Sequence, residues 1–185
     1  MTLGEGKEKV YMLLDEHSAG GEIEHDRDIE LKLNFFFDIA QKEVAKLQHI
    51  LKSRKITPVK GKEEYSLPSD MISVYRIWRG EKVATSRYKY RGGKLIIPDS
   101  DVGQTITLEY FAVPETITPE TSDDYEFELR EDGCNALPYY VAAQQLLPDL
   151  VMDYSSMLQM YQLCLQTLNT AVPGETGRIA QRLYR

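Results

Sequence analysis

The spacing of apolar residues changes period twice along the chain. From Ile29, the residues Leu33, Phe36, Ala40, Val44, Leu47 and Leu51 recur every three or four positions, which predicts one long amphipathic helix over residues 28–52. Asp28 is placed to cap it, and Glu30 sits in the first turn, where the helix dipole favours an acid. Phe35 and Phe37 widen the stripe, so this helix is expected to meet neighbours on more than one side. A shorter helix is predicted over 5–16, with Val10, Leu13 and Leu14 as its stripe and Gly20-Gly21 as its end.

The period then falls to two. Lys52-Ser53-Arg54-Lys55 reads as a basic linker, followed by a turn-prone stretch through Pro58 and Gly61. Four or five strands are predicted between residues 65 and 113. Met71 to Arg79 reads as a strand closed by a turn at Gly80-Glu81, and Gly92-Gly93 as a tight turn before Leu95-Ile96-Ile97. In Arg87-Tyr88-Lys89-Tyr90 bases and tyrosines alternate, which predicts tyrosines facing inward and bases outward. From Thr105 to Val113 the pattern is clearest: Ile106, Leu108, Tyr110 and Ala112 share one face, and Thr105, Thr107 and Glu109 the other.

Helical spacing returns after Pro114 and an acid-rich stretch. Residues 134–147 line up Leu137, Tyr140, Val141, Gln144 and Leu147, and Pro148 interrupts the run. A last helix over 150–169 presents Met157, Met160, Tyr161, Cys164, Leu165 and Leu168, a stripe suited to core or subunit interface. The plan is α+β: a helical bundle from residues 1–55 and 120–172, an antiparallel β-module inserted at 56–119, and a C-terminal tail over 173–185.

At 185 residues and 42% hydrophobic content, the chain is sized for one ordinary domain with an inserted subdomain. No apolar run approaches the roughly 20 residues needed to span a bilayer. The N-terminus lacks the basic-then-apolar pattern of a signal peptide. Cys134 and Cys164 have no metal-type spacing and read as reduced core thiols. The net charge of −7 hides an asymmetry: Lys52 to Lys94 holds 12 Lys/Arg and 4 Asp/Glu, a local +8, leaving −15 elsewhere. Such a basic module suits an acidic partner or nucleic acid.

Candidate chemistry is sparse. His17, His25 and His49 have no second ligand at zinc spacing. Glu22, Glu24, His25, Asp26 and Asp28 form an acidic cluster that reads as a solvated loop and helix cap. Asp99-Ser100-Asp101 begins like a calcium loop, but the sixth position is Gln104 and the twelfth Tyr110, so it reads as a turn. His25-Asp26-Arg27-Asp28 shares letters with a kinase catalytic loop, without the glycine-rich loop that a kinase needs. No catalytic constellation, cofactor motif or nucleophile elbow is present, so the residues predict a protein that is not an enzyme and needs no cofactor. The Arg/Lys–Tyr alternation around Arg87–Arg91, with Trp78, is a candidate single-strand nucleic-acid platform, weaker than the reading as an amphipathic strand.

Several strings resemble the head-to-tail connector (adaptor or neck) proteins of tailed bacteriophages. They are Tyr65-Ser66-Leu67-Pro68-Ser69-Asp70, Gly93-Lys94-Leu95-Ile96-Ile97-Pro98, Ile106-Thr107-Leu108-Glu109-Tyr110-Phe111 and Pro114-Glu115-Thr116-Ile117-Thr118. Leu137-Pro138-Tyr139-Tyr140-Val141-Ala142-Ala143 and a final helix with Tyr154, Met157 and Tyr161 complete the likeness, over roughly residues 5–170. The tail after Pro173 lies outside it, and Pro148 departs from it.

The resemblance implies a structural virion protein that forms a homo-oligomeric ring, often twelvefold, beneath the portal protein at the capsid–tail junction. Such a ring extends the DNA channel and docks the tail or a stopper (head-completion) protein. It would be made in the bacterial host cytoplasm and would contact no membrane. An acidic frame fits a channel through which DNA passes without sticking. The basic tail, with Arg178, Ile179, Arg182, Leu183, Tyr184 and Arg185, is the expected docking element for the portal, and its deletion is expected to abolish attachment. Two other readings share these features: a tail-completion or baseplate protein, and a nucleic-acid-binding protein using the basic β-module.

Overall fold

The computed structural model describes residues 1–15, 27–146 and 153–168. The expected stop at Gly20-Gly21, the acidic loop through Asp26, Pro148 and the tail over 173–185 lie outside them. Within the described residues the fold is α+β, with helices gathered around one core and antiparallel strands around another.

Helix α1 (Leu3–Asp15) begins on a reciprocal cap. The Glu5 amide donates to Thr2 Oγ1 at 3.2 Å, and the Thr2 amide donates to Glu5 Oε2 at 2.9 Å. That Thr-x-x-Glu box fixes the start two residues before the predicted one. Helix α2 (Arg27–Gln48) ends sooner than its spacing predicts. His49 takes a left-handed conformation (φ 56°) and turns the chain directly into a strand. The buried side of α2 runs through Leu33, Phe37, Ala40, Val44 and Gln48, while Leu47, expected inside, is 41% exposed.

The residues predicted as helix end and basic linker form strand β1 (Ile50–Ile56), so Leu51 belongs to the sheet. No hydrophobic alternation marks Lys52-Ser53-Arg54-Lys55, because β1 is an edge strand. Charged side chains are tolerated there and discourage further pairing. Strands β2 (Glu64–Ser66), β3 (Met71–Arg79), β4 (Lys82–Val83), β5 (Lys89–Arg91), β6 (Lys94–Ile96) and β7 (Ile106–Ala112) follow. They form two antiparallel sheets, β1-β7-β3-β4 and β2-β6-β5. Ile106, Leu108, Tyr110 and Ala112 are buried on one face of β7, as their alternation predicts. They meet Ile56, Ile77, Tyr65, Leu95 and Ile97 in a core shared by both sheets.

The Arg87–Tyr90 prediction holds only in part. Thr85–Arg87 is a 3₁₀ turn, and the strand begins at Lys89. Tyr88 is buried, but Tyr90 is 63% exposed because β5 is a short edge strand.

Residues 113–130 return from β7 as an extended strap across the helices. The Ile117 amide donates to Asp38 Oδ1 (3.0 Å), Gln41 Nε2 to the Glu115 carbonyl (2.7 Å), and Asn34 Nδ2 to the Thr118 carbonyl (3.1 Å). The Leu3 and Gly4 amides donate to the Tyr125 and Asp123 carbonyls at 2.8 and 2.9 Å. Helix α3 (Glu131–Leu146) starts before its predicted position and, like the predicted helix, contains Pro138, where proline removes one backbone donor. Helix α4 (Asp153–Gln166) packs Met157, Tyr161, Cys164 and Leu165 onto the bundle, while Met160 is 41% exposed. Helix α3 is the bundle's centre, with Ala136, Leu137, Val141 and Ala142 all fully buried.

Gln48 ties the end of α2 to the start of α3. Its Nε2 donates to Asp132 Oδ1 at 2.7 Å, and its Oε1 accepts from the Arg130 amide at 3.0 Å. Gly133 lies so close that an added Cβ would stand 2.5 Å from Gln48 Oε1, so only glycine lets α3 pack here. Beside it, Lys52 Nζ sits 2.7 Å from Glu128 and 3.3 Å from Asp70.

Candidate interaction surfaces

The residues expected to dock a partner, Arg178, Ile179, Arg182, Leu183, Tyr184 and Arg185, lie outside the described residues, as do Glu22, Glu24, His25 and Asp26. Among the described residues no group of three or more His, Cys, Asp or Glu is placed to hold a metal ion. Among the same residues no helix is long and apolar enough to cross a membrane. Cys134 is buried and Cys164 half-buried; burial raises both thiols above their ordinary range, the opposite of nucleophile activation.

Asp101, predicted as part of a simple turn, is fully buried and organises the polar end of the strand core. Its Oδ1 accepts from Arg79 Nε at 2.9 Å and Arg87 Nη2 at 3.0 Å. Its Oδ2 accepts from Arg87 Nε at 3.2 Å and the Tyr88 hydroxyl at 3.0 Å. Burial acts to raise the carboxyl, but the hydrogen bonds from Arg87 and Tyr88 and the charges of Arg87 and Arg79 outweigh it, so it lies below the usual range. Burial first, then the hydrogen bond to Asp101, pushes Tyr88 up to about 12. The arrangement satisfies every strong group it contains, which makes it a structural pin for β3 and the turns at 85–87 and 99–101.

Four surfaces remain available for contact. The first is a second apolar stripe on α2: Leu31 (39% exposed) and Phe35 (60% exposed) on the side away from Leu33 and Phe37. It continues through Ile39 into an open groove of about 490 Å³ shared with Ile72, Val113 and Pro114. Its polar rim is already paired, Lys42 with Asp38 at 2.7 Å and Lys46 with Glu43 at 2.6 Å. Phe35 is the residue whose extra stripe position pointed to a second neighbour.

The second surface is the face of the larger sheet opposite the strand core. His49 stacks on Phe111 (4.8 Å between ring centres) and Phe111 on Tyr75 (5.2 Å). Arg76 lies over Tyr75 at 4.8 Å and over Trp78 at 5.4 Å. Bulges in β3 around Ile72 and Tyr75 re-aim these side chains, which is why simple alternation does not reveal the ladder. The third is a groove of about 410 Å³ where Met12, Leu13, Pro138, Tyr139 and Cys164 meet.

The chain matches no family model and no curated protein sequence. Functional argument therefore rests on the surfaces themselves.

The fourth surface is a pair of oppositely charged patches. The segment from Lys82 to Lys94, which runs from β4 of the larger sheet into β5 and β6 of the smaller one, has five bases and no acid. The strap and its entry into α3, residues 115–132, hold eight acids and one base. Arg87 and Lys94 are engaged within the chain, by Asp101 and Glu64. Lys89, Tyr90 and Arg91 are all exposed on β5.

Proposed function

We propose that this protein is a structural subunit of a phage virion, a head-to-tail connector that assembles as a ring under the portal protein, extends the DNA channel and docks the tail or a stopper. The observation that carries this reading is the second stripe on α2. Leu31, Phe35 and Ile39 form an apolar band on a helix whose opposite side already fills the core, and Ile72 on β3 extends it across the groove. A monomer gains nothing by keeping such a band in water, whereas a subunit buries it against a neighbour. The absence of a recognisable catalytic arrangement in the sequence and the resemblance of residues 5–170 to connector proteins support the same reading. The segregation of a basic strand module from an acidic helical frame suits neighbours that meet through unlike faces.

The test is to mix the purified protein with the portal protein encoded beside it and image the mixture by electron microscopy. The expected result is an added ring on one end of the portal, from which the subunit count is read. Portal alone with a dispersed partner overturns the connector role and leaves the tail-completion or baseplate assignment.

The exposed Lys89-Tyr90-Arg91 segment favours a second reading, a nucleic-acid-binding protein that uses the basic module. Filter binding to single-stranded and duplex DNA separates the two. Binding that falls steeply with salt supports the second reading, and no salt-sensitive binding eliminates it.

A further inference from the structure

Tyr90 is the most exposed aromatic residue of the strand module, at 63%, and it is flanked by Lys89 and Arg91. An exposed tyrosine between two bases has the composition of an interface anchor: a rigid amphipathic ring with charges to steer it. On the helical side, the strap forms a cleft of about 270 Å³ against α1 and α2. Its walls include Leu31 and Pro119, both suited to a ring face. Asn34, 3% exposed, also lines it, and its Oδ1 has no hydrogen-bond partner in the described structure although its Nδ2 is used. Asp123 stands at the cleft, held by the largely buried Lys7 at 2.7 Å, and Glu120 and Asp124 are exposed beside it on the strap.

We infer that the β5 tip of one copy docks into the strap cleft of a second copy, with Tyr90 as the anchor. The ring packs on Leu31 and Pro119. Its hydroxyl supplies the donor that Asn34 Oδ1 lacks, and Lys89 and Arg91 face the acids of the strap. The two patches are complementary in charge, and they belong to different cores of the same chain. The contact is therefore heterologous, and repetition closes a ring or extends a filament. This deepens the connector reading, on which it rests, by naming the faces that join adjacent subunits.

The experiment uses full-length Tyr90→Cys and Ser122→Cys variants, each alone and mixed, assembled on the portal and oxidised mildly before a non-reducing gel. Disulfide-linked dimers are expected only in the mixture, and no higher multiples, because each chain carries one introduced cysteine. Lys89→Glu with Arg91→Glu is expected to weaken self-association about thirtyfold, as loss of a charged anchor does. Glu120→Lys with Asp124→Lys, supplied on the partner copy, is expected to restore it. A ring seen by electron microscopy without any cross-link in the mixture overturns this assignment and leaves the connector reading standing. No assembly on the portal by the natural chain overturns both. Cross-linking by Tyr90→Cys alone also overturns the assignment, because it places tip against tip. So does salt-sensitive oligonucleotide binding by the natural chain that Lys89→Glu/Arg91→Glu abolishes, since the tip then serves nucleic acid.

Discussion

The helical core and the strand core are built on different terms. The helical core packs aliphatic and small residues, with Phe37 and Phe127 in ring contact at 5.7 Å, and is bordered by buried neutral amides, Asn34, Gln41 and Gln48, and by Lys7 paired with Asp123. The strand core is smaller and keeps a buried charge, Asp101, whose ligands tie three separate segments together. Where long helices present whole faces to one another, burial does most of the work and neutral amides fasten the strap, Asn34 and Gln41 donating to the Thr118 and Glu115 carbonyls. The β-module has shorter elements, from four inward residues on β7 to a single one, Tyr65, on β2, and a hydrogen-bonded ion cluster supplies further constraint. The difference carries outward: the helical side exposes an apolar stripe and an acidic strap, and the strand side a basic tip.

The largest expected effect breaks the helical core. Phe37→Ala empties a site that is fully buried and packed so tightly on Gly6 that a Cβ there would lie 3.0 Å from the ring. A loss of about 3–5 kcal/mol is expected, read as a shift in the urea midpoint of the 222 nm circular dichroism signal. A shift worth less than about 1 kcal/mol would mean that the ring is not part of a close-packed core.

The strand core should break through its charge instead. Asp101→Asn removes the negative charge between Arg79 and Arg87 and replaces one of its two acceptor oxygens with a donor that faces the donors of Arg87 and Tyr88 or of Arg79 and Arg87. These guanidinium groups are 39% and 45% exposed and regain water, so the expected cost is moderate, about 1–3 kcal/mol. The single tryptophan, Trp78, on the outer face of β3, reports on the strand module by fluorescence. Equal stability of the variant would remove the pin from the account.

Acid should separate the two cores. The Asp101 carboxyl is held below its ordinary value of 3.8, so its stabilisation is complete above that pH and is lost as pH falls through the lower folded value. Below about pH 3.8 the Trp78 signal is expected to change before the helical signal at 222 nm. Alkali should not discriminate. Tyr88 in the strand core and Tyr125 and Tyr161 in the helical core are all raised to about 12, chiefly by burial. Their contributions are full below pH 10 and lost together as pH rises through about 12. A helical signal that fails first in acid would invert the comparison.

Gly133→Ala tests the junction of α2 with α3, because the added methyl displaces the buried Gln48 amide. A cost of about 1–3 kcal/mol is expected, read from the 222 nm circular dichroism transition, and an unchanged midpoint would show that the Gln48 amide moves aside freely. Smallest of all is Lys89→Glu with Arg91→Glu, on an exposed edge, which should change stability by less than about 0.5 kcal/mol. A larger loss would assign the tip a structural role in its own chain.

How far these features were legible in the sequence depends on whether they are periodic. The alternation of β7 and the turns at Gly80 and Gly92-Gly93 are local patterns that the structure places as expected, and the α2 stripe holds from Leu33 to Val44 but fails at Leu47, which is exposed, and at Leu51, which joins β1. Edge strand β1 escaped because Lys52-Ser53-Arg54-Lys55 has no apolar alternation; its partner β7 supplies the order. The cap at Thr2 was readable from Thr-x-x-Glu and was the one local signal passed over. The Asp101 pin was not readable, since Arg79, Arg87 and Asp101 meet only after the strands pair. The cleft holding Asn34 likewise requires the strap to cross α2, an arrangement that no sequence spacing encodes. Exposed Tyr90 was misassigned because alternation does not reveal that its strand lies at a sheet edge.

The account claims that the two cores present surfaces which assembly covers. Hydrogen exchange followed by mass spectrometry, on the free protein and on the protein assembled with its portal, tests this most directly. The account predicts slowed exchange in the tip over residues 82–94, in the strap over 115–132 and along the outer side of α2. Exchange unchanged in all three segments after assembly would contradict it.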